Sequence, residues 1–119
     1  MNFIRNSYEM GEWKTKFKHQ SSAFRTLKKL FEAHAIEKMF DINEIHSSKV
    51  SDALGINKGR YATKLANPET FSTFEILRFA WIIDIDPSLV IEVIQNEKNV
   101  MSKIVERVNR NTKKKKANE

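Results

Sequence analysis

The sequence predicts an all-α fold. Only 3 glycines and 2 prolines occur in 119 residues, too few for the many tight turns of a β-protein. Apolar residues recur at three- and four-residue steps over most of the chain. Ser, Asn or Asp stands in front of these runs, where a helix cap is wanted, and Gly or Pro closes several of them. The length suits one domain.

Residues 1–20 read as an N-terminal extension with two competing patterns. Trp13, Thr15 and Phe17 alternate with Lys14, Lys16 and Lys18, as in a strand. Phe3, Ser7, Met10, Trp13 and Phe17 also share one helical face, interrupted by Gly11. From Ser21 onward Phe24, Leu27, Leu30, Phe31 and His34 line one face of an amphipathic helix, which is expected to end near Ala35-Ile36 with His34 partly buried. Phe40, Ile42 and Ile45 then anchor a helical turn or two.

Ser47 or Ser48 can cap the next helix, in which Val50, Ala53 and Leu54 face inward. Gly55 ends it, where a left-handed residue is wanted. Asn57 caps a further helix that buries Tyr61 and Leu65 and stops at Asn67-Pro68. Ser72 and Glu75 form a capping box that opens a strongly apolar helix holding Ile76, Leu77, Phe79, Ala80, Ile82 and Ile83. Asp86-Pro87 starts another, Asp as cap and Pro in the first helical position. Its pattern runs on through Val100, Met101, Ile104, Val105 and Val108, as one long helix or as two meeting near Asn96–Asn99. Residues 110–119 form a basic tail without apolar anchors and are expected to be disordered.

The net charge of +6 is unevenly spread. Residues 47–68 carry +3 and residues 110–119 carry +4, while residues 69–109 carry −3. Clustered positive charge suits a polyanion, because each neutralised phosphate releases counterions. Several chemistries are disfavoured. With no cysteine there is no disulfide, thiol nucleophile or Cys-based zinc site. His19, His34 and His46 lack a metal-ligand spacing, and no phosphate loop or nucleophile–base pairing appears. An enzyme is not expected, and neither is a cofactor. No apolar run approaches the roughly 18 residues of a membrane span, and no secretory signal is visible.

The stretch from Ser48 to Pro68 carries the function. A short helix, a turn at Gly55 and a second helix opened by Asn57 make a helix-turn-helix, with small Ser51 at the crossing and Ile56 plugging the turn. With Tyr61 and Leu65 inward, the second helix leaves Lys58, Arg60, Thr63 and Lys64 free, and Gly59 allows close backbone approach.

Residues 21–95 resemble the Cro/C1-type (Xre-like) helix-turn-helix domain of phage repressors and bacterial transcriptional regulators. The resemblance rests on Gly55-Ile56-Asn57, Asn67-Pro68 and Phe71, with Ile76, Leu77, Ala80 and Asp86-Pro87 in the helices that close such domains. Three features depart from the family: Ser47 stands where Gln is usual, Ser51 where Ala is usual, and the loop from Phe40 to His46 is longer. The resemblance implies a five-helix lambda-repressor-like domain over residues 21–96, flanked by N- and C-terminal extensions. It implies a recognition helix, residues 57–66, lying in the major groove of DNA. Carried over, Lys58, Gly59 and Thr63 face bases, with Lys58 suited to guanine O6 and N7. Arg60 and Lys64 are placed near phosphates, and Ser47, Ser48 and Asn57 offer hydroxyl, amide or N–H groups to them, with Lys49 alongside.

The expected function is therefore sequence-specific binding of double-stranded DNA by a bacterial or phage regulator, cytoplasmic and nucleoid-associated. Apolar residues beyond the five-helix unit predict a homodimer through the C-terminal helix, residues 97–109. The alternative is a protein-interaction module, an antitoxin or adaptor on the same fold, signalled by an apolar patch and no basic face at residues 57–64. A nonspecific nucleic-acid binder driven by the lysine tail is a third reading.

Overall fold

The computed structural model describes residues 22–117, and side chains up to residue 113. The expectations for residues 1–20 lie outside the described residues. Among the described residues all regular structure is helical. Six α-helices follow one another: α1 Ser22–Glu32, α2 Ser47–Leu54, α3 Lys58–Ala66, α4 Thr73–Ile83, α5 Pro87–Asn96 and α6 Lys98–Ala117. Two short 3-10 turns, Met39–Ile42 and Pro68–Thr70, join them.

One core unites these elements. Leu27 and Phe31 of α1, Val50 and Leu54 of α2, Tyr61 and Leu65 of α3, Phe79 and Ile83 of α4 and Val90 of α5 are all buried in it. Phe31 and Phe79 meet edge to face, ring centroids 5.8 Å apart. Met39 and Ile42 put the long loop after α1 into the same core. The apolar stripes that define the helices in sequence are thus the surfaces that close on one another.

The helix starts follow their caps. The Asn57 carboxamide oxygen accepts from Arg60 N at 2.7 Å, Ser72 and Glu75 bond reciprocally, and Asp86 accepts from Ser88 N. Two starts or stops differ from the sequence reading. Neither Ser47 nor Ser48 caps α2: the residue before it is His46, left-handed at φ 49° and without a side-chain cap bond. And α1 stops at Glu32, three to four residues early. Its last turn is closed by Ala35 N donating to Leu30 O and His34 N donating to Phe31 O, with His34 left-handed at φ 54°. That is the paired-bond stop usually given to glycine. It turns His34 outward, so the expectation of a partly buried histidine is corrected: His34 is exposed and its ring meets Glu92 at 3.1 Å.

Asp84 closes α4 in the same way at φ 62°, and Gly55 closes α2 at φ 76°. Only one of the three stops has a glycine, and a left-handed non-glycine residue costs roughly 1–2 kcal/mol. Tertiary bonds hold Asp84: its carboxylate takes Lys28 Nζ of α1 at 2.8 Å.

Of the two readings of the C-terminal region, the structure shows two helices. The chain breaks at Glu97, whose backbone is extended, so α5 and α6 are two helices. Glu97 is buried, and its Oε2 accepts from Met39 N at 2.9 Å. From there α6 continues through Ala117, where disorder was expected from residue 110. Its root is nucleated by packing of Val100, which is buried. Lys, Arg and Ala then propagate a helix already begun at little cost. An Arg110–Glu106 pair one turn apart and Thr112 Oγ1 donating to Val108 O lie along the extension.

Candidate nucleic-acid interface

The candidate interface is built on the pair α2 and α3. Ser51 is 2% exposed at their crossing, where a larger side chain would push the helices apart. Its hydroxyl is turned back onto Ser48 O, so no polar atom is stranded. Gly55 reverses the chain, and Ile56 packs against the core. Ala53, expected inside, is exposed. The C-terminal carbonyl of α2 has a partner that motif reading missed: Arg78 of α4 donates Nη1 to Leu54 O at 2.8 Å, its guanidinium 5.0 Å from the Phe74 ring.

On α3, Tyr61 and Leu65 are fully buried, and Lys58, Gly59, Arg60 and Thr63 are exposed. Among the described residues neither Lys58 nor Arg60 makes an ion pair, and the same holds for Lys49 on α2. A Cβ on Gly59 would meet only Asn57 Oδ1, at an ordinary 3.5 Å, so no internal packing demands a glycine there. Thr63 Oγ1 donates to Gly59 O and keeps its lone pairs outward. Ser48 is exposed and Ser47 half-buried at the start of α2. The Asn57 carboxamide oxygen is taken by its capping bond, which leaves its amide to an outside partner.

Lys64 does not belong to this face. It is buried, and its ammonium donates to Thr70 O and to Glu75 Oε1, both at 2.9 Å. It also lies 5.8 Å from the Phe71 ring centroid. Lys64 thus bolts α3 to the start of α4. The signal was present in the sequence: Tyr61, Lys64 and Leu65 are at i, i+3 and i+4, which is one helix face. Glu75 takes a hydrogen bond from the Ser72 backbone and another from Lys64, and together these outweigh burial and hold its carboxyl below the usual range.

A second tie joins α6 to the same end of α3, at its C-cap. Lys103 donates to Asn67 Oδ1 and to Glu69 Oε2. Burial pushes the Glu69 carboxyl up, but the Lys103 bond, the residue's own backbone and the charges of Lys103 and Arg107 bring it below its ordinary value. The C-terminal end of the candidate recognition helix is therefore braced twice, and its outer face is left to solvent.

Under that face the Tyr61 hydroxyl is buried without a hydrogen-bond partner among the described residues, and burial pushes its pKa up. A stranded hydroxyl costs about 1–3 kcal/mol, so Tyr61→Phe is expected to raise stability by about 1 kcal/mol. A urea melt checks this; a fall in midpoint would mean that the hydroxyl is bonded.

Among the described residues no three His, Cys, Asp or Glu side chains are grouped to hold a metal ion, and no helix is long and apolar enough to cross a membrane. Comparison with protein-family models, with curated proteins and with solved structures finds no match to this chain.

Proposed function

We propose that the protein binds double-stranded DNA with α3 in the major groove and acts as a transcriptional regulator of the helix-turn-helix kind, with a cytoplasmic, nucleoid-associated location. The observation that carries the reading is the outer face of α3. Lys58 and Arg60, neither ion-paired among the described residues, flank a glycine on a helix whose C-terminal end is braced to α4 and α6. A preorganised cationic helix loses little entropy on docking and neutralises phosphates directly. Lys58 and Thr63 reach bases in this arrangement, while Arg60, Lys49, Ser47 and Ser48 contact the backbone. The interaction-module alternative would be favoured by an exposed apolar patch with no basic face around residues 57–64; Lys58 and Arg60 stand on that face.

We further place the dimer contact on α6. Met101, Ile104, Val105 and Val108 are all exposed, about half or more of each surface open. They fall on one flank of the helix, and Lys103, Arg107 and Arg110 on the other. Val100 docks on the body, but this stripe does not. Self-pairing would bury it and set two copies of α3 on successive half-sites.

Fluorescence anisotropy against operators selected from random duplex tests the DNA reading; absence of any enriched sequence would overturn it. For the dimer, Ile104→Asp with Val108→Asp is expected to give a monomer in sedimentation at concentrations where the unaltered protein is dimeric. A protein that is monomeric without the substitutions removes the α6 contact.

A further inference from the structure

Between the loop after α1, α5 and the start of α6 lies an open groove of about 900 Å³. Its size is within the range of small-molecule sites. Phe31, Ile36, Phe40, Leu89 and Val93 make its apolar lining. Phe40 was expected to anchor the loop in the core; it is instead 47% exposed at the groove. A large aromatic left half in water beside a cavity is unfavourable unless something stacks on it.

Two independent features set the charge of what fits. The first is Glu97. It lies on the groove wall and is 5% exposed, yet only its Oε2 is bonded, to Met39 N; Oε1 has no hydrogen bond among the described residues. Oε1 is not among the fully buried unpartnered oxygens, so it is reachable from the groove, where a cation would meet it with little competing water. The second is the direction of the surrounding helices. The C-terminal ends of α1, α3 and α5 all reach the groove, through His34, Ala66 and Asn96, against the N-terminal turns of α5, through Leu89, and α6, through Lys98 and Asn99. Each helix C-terminus carries about half a negative charge. Lys38 and Lys98 are exposed rim residues, whose ammonium groups stay in water.

We propose that this groove binds a small organic cation, an ammonium group on an aromatic or branched apolar body. The ammonium pairs with the Glu97 carboxylate, and the apolar body lies between Phe40 and the floor at Phe31 and Val93. The site does not depend on DNA binding by α3, and its test uses the protein alone. Its wall includes both the last residue of α3 and the first residues of α6, so an occupant touches the elements that the proposed function uses.

The experiment is an amide-shift NMR titration of the full chain with 2-phenylethylammonium, with 2-phenylethanol and phenylacetate as neutral and anionic comparators. Saturable binding is expected at or below about 10 mM, the range that ligand-efficiency bounds set for so small a probe. Shifts are expected at residues 31–40 and 93–99, with the ammonium preferred by about tenfold over either comparator. Glu97→Gln keeps an acceptor for Met39 N and is expected to erase that preference. Phe40→Ala, at an exposed position, is expected to weaken all three probes alike and serves if the Glu97 variant fails to fold. Equal or tighter binding of phenylacetate, unchanged preference in Glu97→Gln, or no saturation by the ammonium would each overturn the proposal.

Discussion

Replacing Lys58 and Arg60 together by alanine is expected to weaken binding to the selected operator about a hundredfold at physiological salt. A good base contact is worth ~1–3 kcal/mol, and each lost phosphate contact weakens binding to every sequence alike. Taking about tenfold for each residue gives the product, with some loss of additivity because they lie two positions apart on one helix. The two halves are separable. Lys58→Ala alone should relax the preference at one base pair while binding to random duplex changes little. Arg60→Ala alone should weaken operator and random duplex equally and reduce the salt slope by about 1. Both side chains are exposed, so the melting temperature should stay put. Removal of residues 110–119 is the contrasting case. If that truncation abolished all binding and Lys58→Ala with Arg60→Ala did nothing, the lysine-rich end and not α3 would be the binding element.

The largest effect on stability is expected from Phe79→Ala. Phe79 is 1% exposed and meets Phe31 edge to face, and it sits on α4, which packs against both α1 and α2. Removal of a buried phenyl costs ~3–5 kcal/mol, the transfer loss and the cavity together. For a domain of this size that is a fall of about 15–25 °C in melting temperature. Phe79→Leu, which refills most of the space, should recover more than half of it. A loss below about 1 kcal/mol in a two-state urea melt would mean that the ring is not a keystone of this core.

Much of the fold was legible because its signals are local. Asn57, the Ser72–Glu75 box and Asp86-Pro87 each name a helix start within four residues, and Gly55 names a stop. The same local rule missed the stops at His34 and Asp84. There the left-handed residue is not glycine: Asp84 is held by Lys28 of α1, and His34 meets Glu92 only at an exposed contact. The candidate site divides in the same way. The exposed face of α3 follows from burying Tyr61 and Leu65, a periodicity argument. Lys64 was misplaced because its charge was weighed before its position; its face and its partner Glu75 lie inward. Arg78 on the α2 carbonyl, Lys103 on Asn67 and Glu97 on Met39 N span 24, 36 and 58 residues, and no short motif encodes such pairs.

The Lys103 tie has a consequence for how two half-sites would be measured out. It fastens α6 to Asn67, the residue at the end of α3, so the base of α6 is tied to the recognition helix. In the proposed dimer the operator is read by a caliper whose hinge is the apolar stripe and whose jaws are the two α3 faces. A helix advances ~1.5 Å and turns ~100° per residue, so the distance and the phase between the jaws are both written in how far along α6 that stripe begins. Spacer length in the DNA is then a property of Met101 to Val108, residues that need never touch a base.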